Sequence, residues 1–116
     1  MTNKQRLRGS ADKLWYIALL KDRCEVCNKP AQQVHHFFPK GQYGHLRYLE
    51  ANGISLCMGC HFSHHHKGDP LIHDTIKEKR GKKWFDNLKK EALKRPANYL
   101  TTDFYKQVIS TLEGGI

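Results

Sequence analysis

The sequence predicts a small α+β domain: two short strands set between helices, with helices at both ends of the chain. Three observations predict it. Apolar residues recur at helical spacing near the N-terminus and again over much of the second half. Two short runs, Gln33-Val34-His35-His36-Phe37-Phe38 and Gly53-Ile54-Ser55-Leu56-Cys57, carry the β-branched and aromatic residues of strands, with a Gly-rich loop between them. Two Cys-x-x-Cys pairs, Cys24/Cys27 and Cys57/Cys60, bracket that pair of runs.

In order, SADKLWYIALLK predicts a helix from Ser10 to about Lys21, with Leu14, Trp15, Ile17 and Ala18 on its core face and Ser10 or Asp12 as its cap. Pro39 stops the first strand, and Lys40-Gly41-Gln42-Tyr43-Gly44 forms the loop. After Cys60 a short helix runs from His61 towards Lys67 and ends at Gly68. Asp69 and Pro70 supply the N-cap and first position of another. Leu71, Ile72, Ile76, Trp84, Phe85, Leu88 and Leu93 keep helical spacing to Arg95, with Gly81 as a break or kink and Pro96 as the stop. A last helix covers roughly Thr102 to Leu112. At 116 residues the whole is read as one domain, 1–116.

Twenty Lys and Arg against eleven Asp and Glu leave a net charge of +9. Such an excess attracts polyanions, nucleic acid first and an anionic membrane surface second. The start, MTNKQRLRGSADK, has no apolar signal core, and no apolar run approaches the ~20 residues that span a bilayer. A membrane partner is therefore not expected, and a cytoplasmic location with reduced thiols is. In that setting cysteines act as metal ligands before they act as disulfides. Each Cys-x-x-Cys turn points two sulfurs at one ion, so Cys24, Cys27, Cys57 and Cys60 are expected to hold a structural Zn²⁺ in a closed four-thiolate site. A closed site has no open coordination position, so this zinc is not expected to be catalytic.

The histidines raise a second question, since seven of the eight fall between His35 and His66. On a helix, His61 and His65 share a face at i and i+4, the usual spacing of a helical metal-binding pair. His64, at i+3, competes for the same place, and His66 points elsewhere. His35 and His36 sit next to one another on a strand and so face opposite sides, which lets one join the helix pair while the other addresses a different point. The other reading of these residues is a solvated, His-rich face.

The order Cys24-x-x-Cys27, His35-His36, Asn52, Cys57-x-x-Cys60-His61-x-x-x-His65 resembles the HNH endonuclease family in its four-cysteine bacterial and phage form. The likeness covers about residues 24–66, and Asn52 stands nine residues before His61, as in the nuclease domains of DNase colicins. The resemblance implies a ββα-metal (His-Me finger) core flanked by helices, and metal-dependent hydrolysis of DNA phosphodiesters leaving 5′-phosphate and 3′-hydroxyl ends. His36 matches the general base that activates water. His35, His61 and His65 match the ligands of a divalent ion that stabilises the leaving 3′ oxygen, and Asn52 matches the middle residue of the motif, which orients the base in some members and touches the metal in others; read locally, Asn52-Gly53 is also a turn. Relatives with Asp in place of His35 favour Mg²⁺, whereas three imidazoles suit Zn²⁺, Ni²⁺, Mn²⁺ or Co²⁺.

Lys40, Arg47 and Lys67 surround the motif as candidate phosphate contacts. The basic run from Lys77 to Lys83, with Lys89, Lys90, Lys94 and Arg95, forms either a second DNA-facing surface or a solvated helix face. Trp84 and Phe85 are expected in the core. The likeness implies a bacterial or phage setting, with packaging, homing, restriction or junction resolution as candidate roles and a phage or bacterial protein as a candidate partner. A zinc-stabilised DNA-binding module without cleavage is the alternative.

Overall fold

The structure, a computed structural model, describes residues 1–97 and 99–114; for residues 65–67 it describes the backbone alone. Among these the architecture is α+β, five helices and one two-stranded sheet. The chain divides into two compact units, Met1–Ala18 with Pro96–Ile116, and Leu19–Arg95.

In the first unit, α1 runs Asn3–Leu19 and begins well before the expected Ser10. The reason is a capping box the periodicity did not reveal. Thr2 Oγ1 accepts the Gln5 N–H at 3.1 Å while Gln5 Oε1 accepts the Thr2 N–H at 2.8 Å. The buried positions of α1 are Ala11 and Trp15, an i, i+4 pair. Ile17 and Ala18, expected on the core face, are exposed. Ile17, two residues after Trp15, falls off the stripe that Ala11 and Trp15 define, whereas Ala18 keeps its spacing and is exposed in the last turn of α1. Helix α5, Thr102–Gly114, is opened by Thr101 Oγ1, which accepts the Phe104 N–H, and it buries Tyr105.

The second unit is built on strands β1 (Gln33–His36) and β2 (Gly53–Leu56). They pair antiparallel with His35 opposite Ile54 and His36 opposite Gly53. Every residue of β2 is buried. Two single 3₁₀ turns, Gly44–Leu46 and Glu50–Asn52, break up the long connection between the strands. Helix α2, Met58–Lys67, follows β2 directly, with Cys57 as its N-cap.

Gly68 then takes a left-handed conformation at φ 62°, which glycine adopts without steric cost, and ends α2. Asp69 Oδ1 accepts the Leu71 N–H at 3.0 Å and opens α3, Leu71–Arg80. Gly81, at φ 93°, separates α3 from α4, Lys82–Lys94.

Ile72, Ile76, Leu88 and Ala92 of these helices join Phe37, Leu46, Ile54 and Leu56 in one core, with Trp84 and Phe85 partly buried against it. Leu71 and Leu93, expected on the core face, are instead 65% and 68% exposed. Each lies one position beside a buried residue, Ile72 or Ala92, and so turns outward.

The bidentate pair between Arg80 and Glu25 ties α3 to the first cysteine turn. Arg80 Nε donates to Glu25 Oε1 at 2.8 Å and Nη2 to Oε2 at 2.6 Å. Arg80 also donates to the carbonyls of Ala51 and Gly53, and Glu25 accepts the Ser55 N–H. Arg80 therefore acts as a strut inside the fold and leaves the basic surface on which the sequence placed it. Among the described residues no helix is long and apolar enough to cross a membrane.

Candidate metal centres

The first cluster is made by the four cysteines. The segment from Cys24 to Lys29 closes on itself: the Asn28 N–H reaches the Cys24 carbonyl at 3.0 Å, and the Cys24 N–H reaches the Lys29 carbonyl at 2.7 Å. Asn28 sits at φ 65°, a conformation asparagine tolerates better than most residues. This tight turn aims Cys24 and Cys27 the same way. Cys57 and Cys60 reach the cluster differently, from the first turn of α2, where backbone N–H groups have no partner within the helix. The Cys60 N–H points at Cys57 Sγ at 3.4 Å, and the Val26 N–H at Cys24 Sγ at 3.4 Å.

All four sulfurs lie within 4.8 Å of one another, and Cys27 and Cys57 are 3.5 Å apart. Two sulfurs bound tetrahedrally to zinc at ~2.3 Å stand about 3.8 Å apart, so the spacing fits an ion and is far from the ~2 Å of a disulfide. The electrostatics agree. Burial raises the Cys24 thiol, but N–H groups of Cys27, Cys57 and Val26 outweigh it and bring the group down to about 7. At Cys27 the Lys29 N–H favours the thiolate, yet burial and the neighbouring Cys57 and Cys24 sulfurs raise it overall. Burial and the same crowding push Cys60 far up. Four thiolates so close repel one another unless a cation sits among them, and the donor set suits zinc.

The second cluster is made by histidines. His35 is 4% exposed on β1 and points its ring at α2 and α3. Its ring centroid lies 5.7 Å from that of His61 and 4.8 Å from that of His64, edge to face in both cases. The ligand atoms of His35, His64 and His73 come within 4.8 Å of one another. His64, which competes with His65 on sequence spacing, is therefore in this cluster. The His65 side chain lies outside the described residues, as does that of Lys67. His73, on α3, was not singled out by the sequence. No local motif announces it, because the turn at Gly68–Pro70 is what folds it back towards β1.

His36 faces a different point. Its Nε2 is 3.0 Å from the Arg47 carbonyl, which can only accept, so this nitrogen carries the proton. The next carbonyl back, that of Leu46, accepts from Asn52 Nδ2 at 3.2 Å. Asn52 is fully buried, and its amide also exchanges two bonds with the backbone of Phe38: Oδ1 accepts the N–H at 2.8 Å and Nδ2 donates to the carbonyl at 3.1 Å. Asn52 therefore fixes the segment whose Arg47 carbonyl holds His36. Of the candidate phosphate contacts, Lys40 is exposed, and Arg47 is half-buried with its guanidinium 5.9 Å from the Tyr48 ring.

No protein-family model, curated protein or solved structure matches this chain.

Proposed function

We propose that this protein is a metal-dependent DNA endonuclease of the HNH type, with a ββα-metal core formed by β1, β2 and α2. One arrangement carries the reading. The hairpin sets His35 against the histidines of α2, while the adjacent His36 is held by a backbone carbonyl that Asn52 keeps in place. A DNA-binding module stabilised by zinc has need of the cysteines and the charge, but no need of this second arrangement.

The four cysteines would hold a structural zinc that clamps the first turn to the start of α2. His35 with His64 of α2 would hold a divalent ion, which when bound would supply positive charge to the scissile phosphate and its leaving 3′ oxygen. His36 performs the proton transfer. Its Nε2–H is donated to the Arg47 carbonyl, so the acceptor lone pair is on Nδ1. Nδ1 takes a proton from water as the water oxygen bonds to phosphorus and the bond from phosphorus to the 3′ oxygen breaks. The water's proton remains on the imidazole, a second proton from solvent goes to the leaving 3′ oxygen, and the ends are a 5′-phosphate and a 3′-hydroxyl. Exposed lysines, Lys40 beside the hairpin loop and Lys82, Lys83, Lys89 and Lys90 on α4, offer charge to the phosphate backbone without reading sequence.

The test is cleavage of supercoiled plasmid by the wild type and His36→Ala, each with Mg²⁺, Mn²⁺, Ni²⁺, Zn²⁺ or EDTA. Metal-dependent nicking that disappears in the variant supports the reading. A wild type that binds plasmid and branched DNA yet leaves both intact with every metal favours the binding module.

A further inference from the structure

Helix α3 lies beyond the stretch that resembles a known family, yet it delivers an imidazole into the histidine cluster. The turn that delivers it is well specified. Gly68 ends α2, Asp69 opens α3, and the burial of Ile72 and Ile76 fixes which way α3 faces. His73 follows Ile72 directly and emerges beside β1 and α2.

The ring of His73 is held between two others. It stacks on Phe37 with centroids 4.2 Å apart and planes at 15°, and on His64 at 4.3 Å and 17°. Imidazole lone pairs lie in the ring plane, so for both rings to meet one ion His64 turns off this stack while Phe37 keeps its place against His73. Its Nε2 stands 3.1 Å from Nε2 of His35.

Two nitrogens bound to one ion at ~2.0–2.1 Å stand about 3.3 Å apart at a tetrahedral angle, and about 2.9 Å apart at a right angle. The observed distance falls between these values. The ligand atoms of His35, His64 and His73 all lie within 4.8 Å of one another, so an ion between two of them is within reach of the third. A divalent cation satisfies all three.

We propose that His73 is a ligand of the ion held by His35 and His64, so that the site is a three-imidazole centre assembled from β1, α2 and α3. Three neutral nitrogen ligands select a borderline transition ion, Zn²⁺, Ni²⁺ or Co²⁺, over Mg²⁺, which demands oxygen. They also leave the ion its full double charge. This inference deepens the proposed function and rests on its ion site alone, not on its cleavage chemistry.

The test is calorimetric titration of Ni²⁺ into the protein with its thiolate zinc in place, for the wild type, His73→Phe and His61→Ala. Phenylalanine keeps the stacked ring but cannot ligate. One Ni²⁺ per chain in the wild type is expected, with affinity in His73→Phe lower by at least about 10-fold, the smaller end of what losing even a ligand's outer partner costs. Zinc content and melting temperature should stay near wild type.

In the wild type itself, adding Zn²⁺ should shift the His73 Nε2 resonance in imidazole ¹⁵N spectra, a readout that survives if a variant fails to fold. Undiminished Ni²⁺ affinity in His73→Phe, affinity lost in His61→Ala alone, or an unmoved His73 resonance overturns the assignment. Binding that depends on His73 upholds it even where plasmid is left uncut, so the two readings fail separately.

Discussion

The side-chain amide of Asn52 pairs with the backbone of Phe38 as a neighbouring strand would, Oδ1 taking the N–H at 2.8 Å and Nδ2 giving a hydrogen bond to the carbonyl at 3.1 Å. With the bond from Nδ2 to the Leu46 carbonyl, three backbone groups depend on one buried side chain. Asn52→Ala leaves all three without this partner, and each buried group so stranded costs about 1–3 kcal/mol. We expect a loss of about 3 kcal/mol in denaturant unfolding, since water refills part of the space. Asn52→Asp should lose more, because it turns a carboxylate towards two carbonyl oxygens. An alanine variant within ~0.5 kcal/mol of wild type would show that the loop holds itself.

How much of this was legible in the sequence depends on whether the signal was local. Cys24-x-x-Cys27 and Cys57-x-x-Cys60 were found because a short turn alone sets their geometry. Gly81 was read as a break or kink and Trp84 and Phe85 as core residues, and in the structure the helix breaks at Gly81 and both rings pack, partly buried, against the core. The N-terminal helix was begun too late because its signal lies in a reciprocal pair, Thr2 and Gln5, and not in apolar periodicity. His73 was missed for a different reason. It meets His35 across 38 positions of sequence, through a turn whose direction depends on the burial of Ile72 and Ile76. Arg80 was counted as surface charge because composition does not show that Glu25 lies opposite it.

Glu25 and Arg80 make a pH-dependent contribution to stability. Burial raises the Glu25 carboxyl, but the Arg80 hydrogen bonds and charge, with the Ser55 N–H, outweigh burial and hold it below the usual carboxylate range. A group lowered on folding contributes stability that is fully present above its unfolded pKa, ~4.3, and is lost as pH falls through the folded value. Glu25→Gln should therefore cost a constant amount above about pH 5 and progressively less below it. Breaking a fully buried pair costs ~3–5 kcal/mol. Both side chains here are 17% exposed, so about 2 kcal/mol is expected. Melting curves of the two proteins from pH 3 to 8 give the difference, and a gap that does not narrow in acid would remove the linkage.

His45 closes the far end of α4. Its Nε2 lies 3.0 Å from the carbonyls of both Glu91 and Ala92, acceptors that the last turn of a helix leaves unmet. His45→Ala should cost about 1 kcal/mol, and His45→Gln, whose amide can still donate, should recover part of it. The effect is local, so hydrogen exchange should quicken in the last turn of α4 while the strands keep their protection. Uniform loss of protection would mean that His45 supports the core as a whole.

The two metal clusters should respond independently to loss of a ligand, because each draws on its own side chains although both meet at α2. Cys57 is N-cap and candidate zinc ligand at once, its sulfur accepting the Cys60 N–H and lying 3.5 Å from Cys27 Sγ. A structural zinc in a small domain contributes about 10–16 kcal/mol of binding energy to folding, as much as or more than the ~5–15 kcal/mol by which a domain is usually stable. Cys57→Ser can still cap the helix through its hydroxyl, so what it tests is the thiolate. We expect zinc lost by elemental analysis and the cooperative melting transition with it. His35→Ala should instead keep one zinc and a cooperative transition, while losing the second ion. A Cys57→Ser protein that melts like wild type with its zinc retained would remove the thiolate site from the account of this fold. Loss of both ions in His35→Ala would mean that the clusters fold as one unit, with α2 as the element they share.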